Sequence, residues 1–565
     1  MKKSDENLLL SASDLVGHLN CNHLTALDVQ VAIGALTKPD YYDPLLELLR
    51  ERGYRHEQAF IGHLKEAGYE IVVIDGVDIS DTSVLATREA MQAGSEIIVQ
   101  GALNNGRWRG RTDILRRIEA QSALGDWSYE IIDTKLARET KGGTVLQLCL
   151  YADLLEAVQG VAPEHIYVVS PWSDFTPQKF RFADYAAYYR RAKKAAEVAT
   201  EELNDQGTYP DPKAHCDICR WSNQCDQHRR DDDHLCLVAG ISKNQITELK
   251  ANGIVSTSAL AEMPVPIPFT PQKGSPLSFE KVKRQASIQV QARETGELKY
   301  ELLDISAETG LAALPEPSLG DVFFDIESDP FVGEHGLEYL FGFAYADDNG
   351  VMQYVSEWAF NREEEKVAFE RFVDFVVARR EAYPGMHIYH FAPYEPSALK
   401  RLMGRYATRE NAIDNLLRGL IFVDLLSVVR NAMRASVESY SLKKLEPFFG
   451  FVRKVSLHEA NVALTKISAG IELDDIASIN EETKATVQDY NADDCFATVA
   501  LRNWLENIRT ELVDKGQDVP RPEPGQDGPS EEIDEKGRLV QALIERLTHD
   551  VPVDSELRTN EQNAR

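Results

Sequence analysis

The sequence predicts two α/β domains joined by a small helical segment. Three observations carry this. Strand-like runs alternate with helical periodicity across residues 1–230, a Pro-rich stretch at 264–280 interrupts the pattern, and a fresh set of strand-like runs begins near residue 318. A chain of 565 residues has room for two or three domains of ordinary size.

Taken in order, helical patterns cover 43–67 and 83–93. Strand-like runs follow at EIIVQGAL (96–103), RTDILRRIE (111–119) and SYEIIDTKL (128–136). A helix is expected at 143–158, a strand at HIYVVSP (165–171) and a helix around 183–203. Residues 231–265 suggest two short helices about Gly253, in the manner of a helix–hairpin–helix or a plain connector, and 266–315 a linker. The second block, 316–512, opens with three successive strands, DVFFDIESDP, EYLFGFAYAD and MQYVSEWAF, the start of an antiparallel meander. It continues through a helix at 362–380 and the strand MHIYHFAP to a last helix at 482–508. The tail, 513–565, is acidic, rich in Pro and Gly at its start, and expected to be mostly disordered apart from a short apolar helix at 538–547.

A hydrophobic fraction of 43% and a charged fraction of 27% are ordinary for globular protein. No apolar run has the length of a membrane span or of a signal-peptide core, so no membrane partner and a cytoplasmic location are expected. The net charge of −30 argues against non-specific coating of nucleic acid by a basic surface. Arg107, Arg109, Arg111, Arg116 and Arg117 form a local basic strip, either a phosphate contact or a solvated strand edge.

Asp113 in GRTDIL, with Asp133 and Lys135 in EIIDTKLA, form the first chemical constellation. Side chains alternate along a strand, so Asp133 and Lys135 are expected on one face, with Asp113 on a neighbouring strand. Two adjacent carboxylates repel unless a cation lies between them, and a hard oxygen-bound ion, Mg²⁺ or Mn²⁺, fits. A lysine beside it would orient or deprotonate water and stabilise phosphate charge. His56 and Glu57 lie upstream on a helix, and Gln147 and Tyr151 stand four apart on one helix face downstream.

Cys216-x-x-Cys219-x5-Cys225 follows directly, with Cys21 far upstream, a spacing that suits a metal centre better than disulfides. Zinc, with His215 or His228 as substitute ligands, is one metal this spacing suits. Cys149 and Cys495 lie in apolar helical patterns as buried thiols, and Cys236 falls outside the spacing.

In the second block Asp325 and Glu327 stand two apart on a strand and so share a face. Tyr490 and Asp494 share a face of the last helix. Glu395 in IYHFAPYEPSALKRL and Asp424 in FVDLLSVVR are further carboxylates.

The order His or Glu, Gly-x-x-Asp, Asp-x-Lys, Gln-x-x-x-Tyr resembles the RecB-like nuclease family of restriction-endonuclease-like (PD-(D/E)XK) fold. The resemblance implies that His56, Asp113, Asp133 and the Thr134 carbonyl bind metal, that Lys135 is catalytic, and that Gln147 and Tyr151 contact DNA or brace the site. One cysteine before the core and three after it resembles the CRISPR-associated RecB-like exonucleases and AddB-type nucleases, which implies a [4Fe–4S] cluster on Cys21, Cys216, Cys219 and Cys225. The second block resembles ribonuclease-H-like 3′–5′ exonucleases. There Asp325, Glu327 and Asp494 would bind metal, Tyr490 would position water, and Glu395 would stand where the family expects Asp. Together the blocks resemble a bacterial family of RecB-like nucleases whose two domains often precede a helicase. No Gly-x-x-x-x-Gly-Lys-Ser/Thr loop is present in these residues, so a helicase partner would be a further domain or a separate protein. The expected function is a metal-dependent DNA exonuclease preferring single strands or ends, in repair, recombination or defence. The alternatives are a nucleic-acid-binding scaffold with a degenerate second domain, or an RNA-processing exonuclease.

Overall fold

The computed structural model describes the chain except residues 5–6, 41–43, 77, 138–139, 202–206, 333–334, 473–474, 526–530, 553–557, 560 and 563–565. It divides into two compact units: Met1–Lys283 with Phe331–His335, and Arg284–Pro330 with Gly336–Arg565.

The first unit is built on an eight-stranded mixed sheet of β1 (Lys2–Ser4), β2 (Asn7–Ser11), β3 (Ile71–Val73), β4 (Ile97–Asn104), β5 (Trp108–Ile118), β6 (Ser128–Thr134), β7 (His165–Val169) and β8 (Gln178–Arg181). Along the order β1-β2-β5-β6-β7-β8, β5 and β6 run antiparallel and β6 and β7 parallel, while β4 pairs with β3 and β5. Every residue of β6 is buried, as expected of a central strand covered on both faces. The helix Gly142–Gln159 makes the crossover from β6 to β7 and packs its Leu146, Leu150 and Leu154 into the core with Leu115 and Ile131 of the sheet. The helix Pro44–Glu66 supplies Phe60, Ile61 and Leu64 to a second cluster with Ile114 and Ile132. The short helices Lys243–Ala251 and Thr257–Glu262 flank Gly253, whose φ of 80° is the left-handed turn that ends the first of them.

In the second unit β10 (Val322–Asp329), β11 (Leu337–Ala346) and β12 (Met352–Trp358) form the expected antiparallel meander. β13 (Ile388–His390) and β14 (Phe422–Asp424) add in parallel, giving the order β12-β11-β10-β13-β14. The 34-residue helix Glu481–Asp514 packs along this sheet through Cys495, Leu501 and Leu505.

Two sequence expectations are corrected. Within the stretch expected as a linker, Pro276–Thr295 is a helix and β9 (Tyr300–Leu302) pairs with β15 (Met433–Ala435). The prolines that suggested a linker stop at Pro276, and beyond it Phe279, Val282 and Ala286 are buried at helical spacing. The tail is not disordered from residue 513. Val519 is buried and Arg521 pairs with Glu506 at 2.6 and 2.7 Å, while Glu531–Thr548 is a helix. Among the described residues no helix is long and apolar enough to cross a membrane.

Candidate active sites

In the first unit, the register of β5 on β6 ends at Ile114 opposite Ile132, so Asp113 and Asp133 face each other one step further along. Asp133 is fully buried and neither of its oxygens accepts a conventional hydrogen bond; Lys135 is ion-paired with it. Burial, then the Asp113 charge, pushes the Asp133 carboxyl up to about 7 against the pull of Lys135. Lys135 lies one residue beyond the end of β6, its amide held by the Val169 carbonyl at 3.0 Å. Burial would discharge its ammonium, but Asp133 and Asp113 outweigh it and hold the lysine above its ordinary value. Asp113 Oδ2 accepts from the Thr134 amide at 2.8 Å and hydroxyl at 2.9 Å.

The helix Pro44–Glu66 presents two neighbours to this edge. His56 is buried, its Nε2 3.0 Å from the Val169 carbonyl and its ring stacked on Phe175. Glu57 is the residue turned to the carboxylates: its carboxyl is raised by burial and then by Asp113, and it interacts with Lys135. Gln100 Nε2 donates to Glu57 Oε1 at 2.6 Å. The sequence pattern places Glu57 on the helix but gives it no role.

Gln147 donates to the Tyr151 hydroxyl at 3.1 Å. Tyr151 is buried under the sheet, and a Cβ on Gly110 would lie 2.5 Å from its ring, which is why this position of Gly-x-x-Asp carries no side chain. Burial, then Asp133 and Asp113, raises the Tyr151 hydroxyl, so it stays a neutral donor near the carboxylates. The basic strip is mostly committed internally. Arg107 pairs with Glu201, Arg111 donates to the Gln100 carbonyl, Arg116 lies over Tyr167, and Arg117 lies over Trp127. A buried carboxylate whose one charged partner is Lys135, facing a second carboxylate, fits a hard divalent cation.

The four cysteines come together although Cys21 is distant in sequence. Cys21 sits in the corner between the helices Ala12–Asn20 and Asn22–Ala32. Cys216 lies within the short 3-10 turn Ala214–Ile218, Cys219 caps it, and Cys225 lies on the helix Ser222–Asp231. All four line one small cavity with His215, Trp221 and other residues. Burial, then Cys219, pushes the Cys225 thiol up to about 11. His215 is at the cavity, whereas His228 pairs with Asp232. Cys149 and Cys495 are buried apart from this set.

In the second unit, Asp325 and Glu327 on β10 and Asp494 on the long helix bring carboxylate oxygens within 4.8 Å of one another. Burial, then Asp494, raises Asp325 well above the carboxylate range and Glu327 to about 8. Asn491, fully buried, donates to Asp325 Oδ2 at 2.7 Å and accepts from the Tyr354 hydroxyl at 2.9 Å. A Cβ on Gly342, the β11 partner of Asp325, would overlap the Asn491 amide. Glu395, in the first turn of the helix Tyr394–Tyr406, is buried, 3.5 Å from His390 Nδ1, and close enough to Asp325 to repel it. Asp424 instead caps the helix Leu425–Ala432, accepting from the Leu426 and Ala392 amides at 2.9 Å each. Tyr490 lies one turn before Asp494, beneath Lys443 and Arg453. Asn491, Lys443 and Arg453 carry no sequence pattern that marks them. Asp325 and Glu327, raised by burial and then by the Asp494 charge, fit a divalent cation in the same way.

Residues 39–226 match the model of the PD-(D/E)XK nuclease superfamily, and residues 322–506 that of the RNase_H superfamily. No curated protein matches the chain.

Proposed function

We propose that this chain, which carries a PD-(D/E)XK nuclease-superfamily domain and an RNase H-superfamily domain, is an exonuclease on DNA that takes single strands or ends. Both superfamilies are metal-dependent nucleases that hydrolyse phosphodiesters, and the chain is an enzyme of that class. The single observation that carries our reading is the grouping of Asp113, Asp133 and Lys135 at the end of β6.

Asp113 and Asp133, with Glu57 from the facing helix, would hold Mg²⁺ or Mn²⁺; the Thr134 carbonyl and His56 are the other ligands the resemblance implies. Such an ion, when bound, polarises the phosphate and lowers the pKa of water. Lys135 holds its proton beside the carboxylates and offers a positive charge to the phosphoryl oxygens. Gln147 and Tyr151 supply hydrogen-bond donors on the same side. In the second domain Asp325, Glu327 and Asp494 would hold the ion and Tyr490 would position water, with Glu395 nearby. The cysteine cavity is the proposed seat of a [4Fe–4S] cluster, zinc being the alternative, that staples Cys21 to the segment after the nuclease core. A cytoplasmic role in repair, recombination or defence, beside a helicase that supplies single strands, follows from this reading.

The test is cleavage of end-labelled single- and double-stranded DNA and RNA with Mn²⁺. In an Asp325→Ala background, Lys135→Ala is expected to lower DNA cleavage on the order of 100-fold, as for other preorganised electrostatic groups. Undiminished cutting by that double variant would show that the β6 site is misassigned. Cutting of RNA alone would favour the RNA-processing reading, and binding without cutting the scaffold.

A further inference from the structure

The carboxylate cage of the second unit already contains cations. Asp494 is nearly buried, with its side chain 8% exposed, and both of its oxygens are taken. Lys443 Nζ lies 3.1 Å from Oδ2, and Arg453 Nη2 lies 2.5 Å from Oδ1.

The two cations differ in kind. The Arg453 side chain is 9% exposed, and its Nε donates to Glu446 at 2.9 and 3.1 Å. Glu446 therefore balances its charge, and its planar fork is locked between two carboxylates. Lys443 is 31% exposed and stands on the four-residue helix Leu442–Leu445. Its ammonium also lies 5.1 Å from the centre of the Tyr490 ring. An ammonium has three donors, so two remain for Tyr490 and a phosphate oxygen.

Charge and donor counts then bear on how many ions the cage takes. Asp325, Glu327, Asp494 and the neighbouring Glu395 carry at most four negative charges. Two divalent ions would match that number only if Lys443 left. One divalent ion with Lys443 in place brings three, and an oxygen of Asp325 is already satisfied by Asn491. We propose that Lys443 is a built-in cation of this cage, so that the cage takes one divalent ion instead of two and Lys443 positions Tyr490 beside it. This rests on the reading of Asp325, Glu327 and Asp494 as metal ligands.

The experiment counts ions on the full chain, with Asp113→Asn and Asp133→Asn silencing the first site. Mn²⁺ is titrated calorimetrically, and bound Mn²⁺ is examined by electron paramagnetic resonance for coupling between ions. With Lys443 intact, one uncoupled Mn²⁺ per chain is expected. Lys443→Met and Lys443→Gln are each expected to admit a second, giving a coupled signal, and Lys443→Arg to restore a count of one. Two ions with Lys443 intact would overturn the inference and leave the metal site standing. One ion in every variant would also overturn it. No Mn²⁺ bound with Lys443 intact would remove the metal site itself, and the inference with it.

Discussion

Lys135 and Glu57 show how much of the first site is visible residue by residue. Asp113, Asp133 and Lys135 were legible because strand alternation constrains them, even though Lys135 stands just past the strand. The helical member of the candidate site was less so. His56 and Glu57 are adjacent, and only the rotation of the helix Pro44–Glu66 decides which faces the carboxylates: Glu57 meets Asp113, and His56 bonds Val169. Asn491 was invisible, because one asparagine in a helix signals nothing until Asp325 is seen to accept from it. The raised carboxyls give a prediction with a definite sign. Asp133 goes from 3.8 to about 7 and Glu327 from 4.5 to about 8 on folding without metal. The native state then holds more protons than the unfolded chain between about pH 4 and 8, so stability falls as pH rises through that window. In EDTA the melting temperature is expected to drop from pH 5 to pH 8 more steeply than in the Asp133→Asn, Glu327→Gln variant, and Mn²⁺ is expected to restore it at pH 8. Parallel slopes for the two proteins in EDTA would show that these carboxyls are not raised.

At the scale of elements, the β10–β12 meander and the strands and helix of the β6–helix–β7 crossover were readable from their apolar runs, although β6 and β10 are buried on both faces and show no clean alternation. Spacing alone could not bring Cys21 to Cys216, Cys219 and Cys225, since nearly 200 residues separate them. The first helices pack against Gly142–Gln159 and Phe182–Glu201, and His23, two residues after Cys21, lies 3.0 Å from Thr208 shortly before the other three cysteines. The arrangement predicts the behaviour of the proposed cluster. Protein purified without oxygen is expected to be brown and to contain about four irons per chain, as for a four-cysteine cluster. Cys21→Ser is expected to lose the colour as fully as Cys219→Ser, because both line the same cavity. Colourless protein with one stoichiometric zinc would replace the cluster with a zinc site.

For the molecule as a whole, each unit has its own cores, and the second unit is expected to fold when expressed alone. Its sequence-derived limits, 316–512, leave out flanking segments that pack on it. They omit the segment in which Gln285, nearly buried, donates to the Ala435 carbonyl at 2.9 Å and accepts from Tyr440 at 3.0 Å. They omit β9, which pairs with β15 over three residues. They also omit Val519 and Arg521, the latter bonded to Glu506 and to the Leu314 and Pro315 carbonyls. Trimming leaves the half-buried Glu506 carboxylate without its guanidinium and Met433 without its β9 partner. Each lost hydrogen bond or ion pair of this kind costs ~1 kcal/mol, and the set about 3–5 kcal/mol. At this size one kcal/mol shifts the melting temperature by roughly 2–4 °C. A fragment of residues 276–525 is therefore expected to melt ~6–20 °C above the 316–512 fragment, by circular dichroism at equal concentration. Equal melting temperatures would mean that the flanking helix and Arg521 contribute nothing to this fold, and that the shorter limits describe the domain.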